Sequence, residues 1–171
     1  MNDGLLDEVH AQREAHGADI VVLLAKWGAD CGDAEGVGGR AYQLNGPGTG
    51  LSASSAFAVV DADCAIDNFA FPHEVGHLLG AGHDADASEA PTTVVPYARG
   101  YVLHAAKVRS IMSYATACQN AGYTCTVSPL YSNPDYPYPT GLTTSAPFGS
   151  PLDADNRRRI NEVTPWVSGF R

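Results

Sequence analysis

One stretch of sequence decides how this chain is interpreted: His73-Glu74-Val75-Gly76-His77-Leu78-Leu79-Gly80-Ala81-Gly82-His83-Asp84. Residues four apart on an α-helix lie one above the other on the same face. His73 and His77 therefore point two imidazole rings at one position, where both can bind a single metal ion. Glu74 is turned by about 100° around the helix axis from His73, so it can hold a water molecule on that ion without being a ligand.

Gly80 is expected to end this helix in a backbone conformation that a side chain would resist, and the turn lets His83 return as a third ligand. Three protein ligands leave a fourth coordination position to water, which is typical of catalytic rather than structural zinc. A bare His-Glu-x-x-His pattern arises by chance in about 1 % of such chains, and adding Gly80 and His83 lowers this to about 10⁻⁵. The alternative is a core helix whose histidines are satisfied by hydrogen bonds, which would bury three imidazoles and a carboxylate together at high cost.

Length and composition indicate one globular domain. The chain has 171 residues, of which 44 % are hydrophobic and 17 % charged, so it can form a packed core. Its net charge of −9 argues against nucleic acid or an anionic membrane as an electrostatic partner. The longest apolar run has six residues, Ile20 to Ala25, against about 20 for a membrane helix. No signal peptide is visible after Met1.

The residue pattern predicts an α+β fold: a small twisted mixed β-sheet on the active-site helix, then an irregular C-terminal half that ends in a helix. The predicted elements are a helix over 5–16, a buried strand over 20–25, strands over 41–44 and 56–60, a helix over 70–79, an irregular segment over 80–151 and a final helix through 160–167. Pro72 must lie in the first turn of its helix, where a missing N–H costs little.

Four cysteines allow three disulfide pairings. Cys118 and Cys125 flank a loop that contains glycine and can close it locally, which leaves Cys31 to pair with Cys64. Both bridges together would place folding in an oxidising compartment, as for a secreted protein. The alternative is four buried thiols in a cytosolic protein.

Taken together, the zinc-binding pattern and a second motif, Ser110-Ile111-Met112-Ser113-Tyr114, resemble the metzincins, which are zinc endopeptidases with a Met-turn after the histidines. The resemblance implies that Met112 packs beneath the zinc-bound histidines as a support, although ordinary core filling is the alternative. Tyr114 matches the displaceable fifth zinc ligand of astacin- and serralysin-like members. The alternative for Tyr114 is a buried tyrosine with a satisfied hydroxyl.

Further segments narrow the resemblance to bacterial reprolysin- or adamalysin-like peptidases, a group that includes enzymes described as peptidyl-Asp metalloendopeptidases. These segments are His83-Asp84, Ala56-Phe57-Ala58-Val59-Val60, Tyr131-Ser132-Asn133-Pro134-Asp135 and Gly169-Phe170-Arg171. In this group the aspartate that corresponds to Asp84 anchors the structure near the third histidine. The sequence departs from the family's pattern at two places. Pro72 stands where the family is expected to have a small residue. The chain also opens at what resembles the family's first helix, so we expect the strand before that helix to be absent.

The resemblance implies a zinc endopeptidase that cuts internal peptide bonds. One zinc ion would be held by His73, His77 and His83, with Glu74 as general base and Tyr114 assisting. We expect one catalytic domain over 1–171, with the zinc helix in 1–83 and the Met-turn and final helix in 84–171. We also expect a secreted monomer that acts on protein or peptide substrates. The alternatives are a catalytically inactive, zinc-containing protein-binding domain and a zinc hydrolase of non-protein amides.

Two other groups of charged residues are weak site candidates. Arg99 and Arg109 lie before and within the Met-turn region and could bind an acidic substrate side chain, the alternative being solvated surface charge. Three carboxylates could hold calcium but lack the regular spacing of a calcium loop: Asp61, Asp63 and Asp67.

Overall fold

The computed structural model describes residues 8–29, 31, 38–47, 51–85 and 95–170. The α-helices are α1 (Glu8–His16), α2 (Ala70–Leu78), α3 (Thr116–Asn120) and α4 (Asn156–Val167). The strands are β1 (Val21–Ala25), β2 (Gly39–Ala41), β3 (Phe57–Asp61), β4 (Val102–Leu103), β5 (Val108–Arg109), β6 (Thr126–Val127), β7 (Asn133–Pro139) and β8 (Ser145–Phe148). Short 3₁₀ turns cover Ala53–Ser55 and His104–Ala106.

The first sheet has β3 at its centre, with β1 parallel to it on one side and β2 antiparallel on the other. In β3, Ala58 and Val60 are buried while Phe57 and Val59 are half-buried, the alternation expected for a strand with one face on the core. The strand β3 also leads directly towards α2, which brings the histidine-bearing helix against the sheet.

The main core lies where α2 and α4 meet this sheet. Its buried members are Leu44, Ala56, Ala58, Leu78, Val163 and Val167. Val163 and Val167 share one face of α4 because they are four residues apart. The final helix therefore packs against the end of α2, and the C-terminal half of the chain supports the histidine-bearing segment.

Short strands cross the C-terminal half. The strand β5 pairs antiparallel with β4 and parallel with β6, and β7 and β8 form an antiparallel pair with an irregular register between Asn133 and Pro137. Leu103, Val108 and Phe148 form a separate small core there. The α+β fold expected from the sequence is confirmed, but the 80–151 segment is less irregular than expected. The seven residues of β7 include three prolines. Proline cannot donate a backbone hydrogen bond to a neighbouring strand, so a segment rich in proline is not predicted as a strand.

The first two predicted strands need correction. The run over 20–25 is indeed a strand, but it is not buried, since Leu23 is 41 % exposed and Leu24 is 54 % exposed. Within the described residues β1 pairs only with β3. The second strand covers Gly39–Ala41 rather than 41–44, and Leu44 is buried after the strand has ended. The part of the first predicted helix before Glu8 lies outside the described residues.

No helix in the described ranges combines the length and the apolar character needed to cross a membrane.

Candidate active site

Three imidazole rings converge beside α2. His73 and His77 lie one turn apart on this helix, and His83 returns to them after the helix has ended. The Nε2 atom of His83 lies 3.0 Å from the Nε2 atom of His73 and 3.0 Å from that of His77. These three side chains are the group of potential metal ligands found among the described residues.

The other ring nitrogens show which atoms can bind a metal. His73 donates from Nδ1 to the carbonyl oxygen of Ile111 at 2.9 Å, and His77 donates from Nδ1 to that of Ala81 at 2.9 Å. A carbonyl oxygen only accepts, so in a neutral ring the proton is on Nδ1 and the Nε2 lone pair is available. Metal-binding histidines use this same carbonyl contact to set their tautomer.

The histidines are also held in the neutral form. Burial lowers the pKa of His73, lowers that of His77 well below its usual value and lowers that of His83 to about 3. Nearby imidazoles lower the last two further, because like charges would repel. A metal ligand must be unprotonated, so all three rings are ready to bind a cation at neutral pH.

The donor set fits a divalent transition metal such as zinc. A tetrahedral ion with Zn–N bonds of about 2.0–2.1 Å would place its nitrogen ligands about 3.3 Å apart. The observed Nε2 separations of 3.0 Å are close to this value. The Nε2 lone pairs of His73 and His77 both face His83 Nε2, and a cation bound among the three nitrogens would satisfy all of them.

Glu74 lies on the side of α2 that faces β2. It is buried, and a Cβ placed on Gly39 of β2 would stand only 2.6 Å from Glu74 Cγ and 2.9 Å from Oε1. Burial raises the pKa of Glu74 to about 7, while the positive charge of Arg40 opposes the rise. A carboxyl group with this pKa can take up and release a proton near neutral pH, as a general acid–base group must.

The turn after α2 depends on Gly80. Its φ is +85°, a conformation that favours glycine. A Cβ at this position would also lie 2.8 Å from Val163 Cγ2 and 2.9 Å from the carbonyl oxygen of Leu44. The turn that returns His83 to the helix therefore requires a residue without a side chain.

Met112 lies beneath α2. It is fully buried, and its Sδ would be 2.8 Å from a Cβ placed on Gly76, the residue before His77. Tyr131 closes the same space, with its Cε1 atom 2.9 Å from that Cβ, and donates a hydrogen bond of 2.6 Å to the carbonyl oxygen of Pro72. Burial raises the pKa of Tyr131 to about 12, so its hydroxyl keeps the proton that this bond needs.

Tyr114 and Asp84 lie beside His83. The Tyr114 ring centroid is 4.5 Å from that of His83 and 6.3 Å from that of His73. Asp84 is buried and accepts a hydrogen bond of 2.8 Å from the backbone N–H of Tyr114. The tyrosine expected near the metal is thus beside the third histidine, and its role remains a prediction.

Comparison with known proteins shows the family. Residues 1–134 match the metallopeptidase family M12B, reprolysin-like. This chain belongs to the M12B reprolysin-like metallopeptidase family. The metzincin resemblance is thereby confirmed, and the family implies a bound metal, which the three histidines could hold.

Curated relatives of this metallopeptidase include two proteins named peptidyl-Asp metalloendopeptidase. The one from Xanthomonas campestris pv. campestris is 33 % identical, and the one from Stenotrophomonas maltophilia strain K279a is 34 % identical, each over 99 % of this chain. The chain spans only about a third of their length, 35 % and 36 % respectively. A solved structure described as "Structure of a chaperone-substrate complex" has a similar fold, with a TM-score of 0.63 and 21 % identity over 96 % of this chain and 22 % of that chain.

The disulfide pairing expected for this metallopeptidase is confirmed: Cys31 pairs with Cys64, and Cys118 pairs with Cys125. The first bridge ties the segment after β1 to the turn before α2. The second closes the loop after α3, close to the Met-turn.

The two arginine candidates differ in position. Arg109 is buried and donates to the carbonyl oxygen of Ser113, so it is not a solvated surface charge. Its positive charge also lowers the pKa of His73. Arg99 is half-buried, and its carbonyl oxygen accepts a hydrogen bond from Ser132. Neither position by itself shows contact with a substrate.

Calcium at the aspartate cluster has no support. Asp61 accepts three backbone N–H bonds at 2.9–3.0 Å, from Trp27, Ala29 and Asp63. The Asp63 carboxylate pairs with Lys26 at 2.9 Å. Two of the three carboxylates thus already bind donors of the protein itself, and Asp67 is exposed.

Several residues that shape the site were not predicted from the sequence: Gly39, Arg40, Tyr131 and Asn156. Gly39 and Arg40 come from β2, about 35 positions before Glu74, and no spacing rule links them to that residue. Asn156 follows Asp155 at the start of an amphipathic run, which predicts a helix N-terminus. That pattern does not predict the hydrogen bonds between Asn156 and Gly82, the residue before His83.

Proposed function

We propose that this chain is the catalytic domain of a zinc endopeptidase, a single domain over 1–171 that hydrolyses internal peptide bonds. The observation that carries the proposal is the convergence of three neutral imidazoles, with the Nε2 atoms of His73 and His77 each 3.0 Å from that of His83, beside the helix that carries Glu74, whose pKa is about 7. His73, His77 and His83 would hold the zinc. When bound, zinc supplies Lewis-acid polarisation of a water molecule and of the substrate carbonyl.

Glu74 acts as the general base in this proposal. Its carboxylate removes a proton from the attacking water and then passes that proton to the amine of the leaving peptide. The close packing of Gly39 against Glu74 keeps bulk water away from the carboxylate, and this explains its raised pKa. An inactive, zinc-containing binding domain has no use for such a group, because holding a metal does not require this carboxylate.

The decisive experiment is Glu74→Gln, with Glu14→Gln as the control. Glu14 is an exposed acid on α1, so its variant removes one negative charge elsewhere. We expect casein or peptide cleavage to fall by about 10²-fold or more in Glu74→Gln, with one zinc still bound, and to be unchanged in Glu14→Gln. Cleavage by Glu74→Gln at the parent rate would refute the mechanism. A parent that binds zinc but cleaves no peptide would favour the inactive binding domain.

Chelation provides a second test. We expect o-phenanthroline to abolish cleavage by the parent and added zinc to restore it. Activity that persists after complete metal removal, measured by elemental analysis of the same sample, would contradict a metal-dependent reaction. Cleavage of small non-peptide amides with no cleavage of casein would instead favour the other zinc hydrolase.

We also propose a preference for bonds next to aspartate, because the curated relatives are named for it. An acidic side chain needs a cation, and Arg40 is exposed on the edge strand β2 within electrostatic range of Glu74. Matched peptides that differ only by Asp or Asn test this: Arg40→Gln should reduce the Asp/Asn ratio of kcat/KM, whereas Arg158→Gln on α4 should not. An unchanged ratio in Arg40→Gln would assign the preference elsewhere, with Arg109 and Arg99 the next candidates.

We also propose that the enzyme is a secreted monomer that acts on proteins or peptides. Two disulfides in a chain of this length support an oxidising compartment. Light scattering on the purified protein should give the mass of one chain, and a dimer would contradict the monomer. Folding yield should be higher in an oxidising than in a reducing expression host.

A further inference from the structure

The three histidines are not held in the same way. His73 and His77 are each fixed by a hydrogen bond from Nδ1 to a backbone carbonyl. The Nδ1 atom of His83 is buried and has no hydrogen-bond partner in the described part of the chain. The position of this ring therefore depends on its backbone and on packing against Tyr114.

The backbone just before His83 is held by a buried amide. Asn156 Oδ1 accepts a hydrogen bond of 3.1 Å from the N–H of Gly82, and Asn156 Nδ2 donates one of 3.0 Å to the carbonyl oxygen of Gly82. The same two Gly82 groups also bond to Ala98 and Gly100, each at 3.0 Å. Both polar groups of the residue next to His83 are thus bound twice.

The chemistry of this contact requires an amide. A side-chain amide carries one acceptor and a pair of donors in a plane, so it can bind an N–H and a C=O of the same residue. A carboxylate of the same shape accepts the N–H but places a second oxygen against the carbonyl. An alanine would remove both of these bonds and leave Gly82 held only by Ala98 and Gly100.

Asn156 is itself held firmly. It is fully buried at the first position of α4. Its backbone N–H donates to Ser132 Oγ at 2.8 Å, and Ser132 Oγ donates to the carbonyl oxygen of Arg99 at 2.6 Å. The amide therefore joins α4, which packs on the main core, to the segment that presents the third histidine.

We propose that Asn156 is a positioning residue for His83: its amide holds Gly82, and thereby sets where His83 Nε2 meets the other two histidines. The proposal rests on the proposed function, since it takes His83 to be a metal ligand. Loss of outer contacts to metal ligands commonly weakens metal affinity by about 10–100-fold. If Asn156 were purely structural, its substitution would lower the stability of the protein and leave the metal affinity unchanged.

The test compares Asn156→Asp with Asp155→Ala. Asn156→Asp keeps the size and the acceptor but loses the donor to Gly82. Asp155→Ala removes the N-cap bond of 2.9 Å from Arg158 N–H, so it weakens the start of the same helix without touching Gly82. The readouts are zinc affinity by competition with a chelating dye, the visible spectrum of the cobalt-substituted protein and the melting temperature of the metal-free protein.

We expect Asn156→Asp to bind zinc about 10–100-fold more weakly than the parent and to shift the cobalt spectrum. Asp155→Ala should lower the melting temperature while keeping the parent's affinity and spectrum. Parental affinity and spectrum in Asn156→Asp would overturn the proposal. If Asn156→Asp does not fold, Ser132→Ala, which removes the acceptor that holds Asn156, is judged by the same two readouts. A parent that binds no zinc would overturn the metal site itself, a result independent of Asn156.

Discussion

Asp84 accepts a hydrogen bond of 2.8 Å from the backbone N–H of Tyr114. This bond joins the residue after the third histidine to the segment after Met112, across 30 positions of sequence. This bond uses the backbone of Tyr114 and not its hydroxyl. A variant that lacks the hydroxyl therefore keeps the bond to Asp84.

Tyr114→Phe should lower kcat by about 10²-fold with a smaller effect on KM, if the hydroxyl stabilises negative charge in the transition state. The ring packing against His83 and the bond to Asp84 both remain in this variant. Steady-state kinetics on one peptide measures the effect, with the exposed Tyr136→Phe as control. An unchanged kcat would make Tyr114 a structural residue.

Gly80→Ala should destabilise the protein by about 2–4 kcal/mol, because it combines a strained backbone with overpacking. The control is Gly122→Ala. Gly122 has nearly the same φ, +82° against +85°, but a Cβ added to it would meet nothing within 4 Å. Gly122→Ala should therefore lower the free energy of unfolding only by the cost of the strained backbone, about 1–2 kcal/mol. Urea unfolding of both variants measures the difference, and equal losses would show that the contacts with Val163 and Leu44 do not matter.

Gly76→Ala should also lower stability, by about 1–2 kcal/mol, although alanine is the better helix former by about 1 kcal/mol. The reason is the approach of Met112 Sδ and Tyr131 Cε1, at 2.8 and 2.9 Å from the added carbon. Because Met112 packs against the residue before His77, zinc affinity should fall as well. Gly169→Ala, whose nearest contact is 3.5 Å, serves as control. A Gly76→Ala protein that is more stable than the parent would contradict the expected overpacking against Met112 and Tyr131.

Asp61→Asn should reduce stability at neutral pH, and the difference from the parent should shrink in acid. Hydrogen bonds from backbone N–H groups, the largest from Ala29, hold the pKa of Asp61 below its usual value near 3.8. A lowered pKa in the folded state stabilises the protein above the unfolded-state pKa, and this contribution is lost as the pH falls through the folded-state pKa. Urea unfolding between pH 7 and pH 2 tests this, with the exposed Asp153→Asn as control. A difference that does not change with pH would contradict the ionic role.

Removing the two disulfides should have unequal effects. Cys31–Cys64 spans 33 positions and Cys118–Cys125 spans 7, and the entropy of the unfolded chain predicts losses of about 3.7 and about 2.4 kcal/mol. Paired Cys→Ser variants of each bridge, compared by thermal unfolding, provide the measurement. A larger loss from the shorter loop would show that local contacts, rather than loop entropy, dominate.

Local sequence was sufficient where local geometry decides the structure. The spacing of His73 and His77 determines their common face because an α-helix has 3.6 residues per turn. Gly80 marked the end of the helix for a similar reason, since few other residues tolerate its conformation. The strand character of 20–25 was also readable, but its exposure was not, because burial depends on what lies beside β1.

The amino-acid sequence by itself determined which groups are available to this protein: two imidazoles at helical spacing with a carboxylate between them, a third imidazole after Gly80, and a turn that contains Met112. Only the tertiary structure decided how these groups are held. Gly39 reaches Glu74 from β2, and Asn156 reaches Gly82 across 74 positions of sequence. Such contacts depend on the path of the whole intervening chain and on its packing, and no short-range pattern of residues encodes that path.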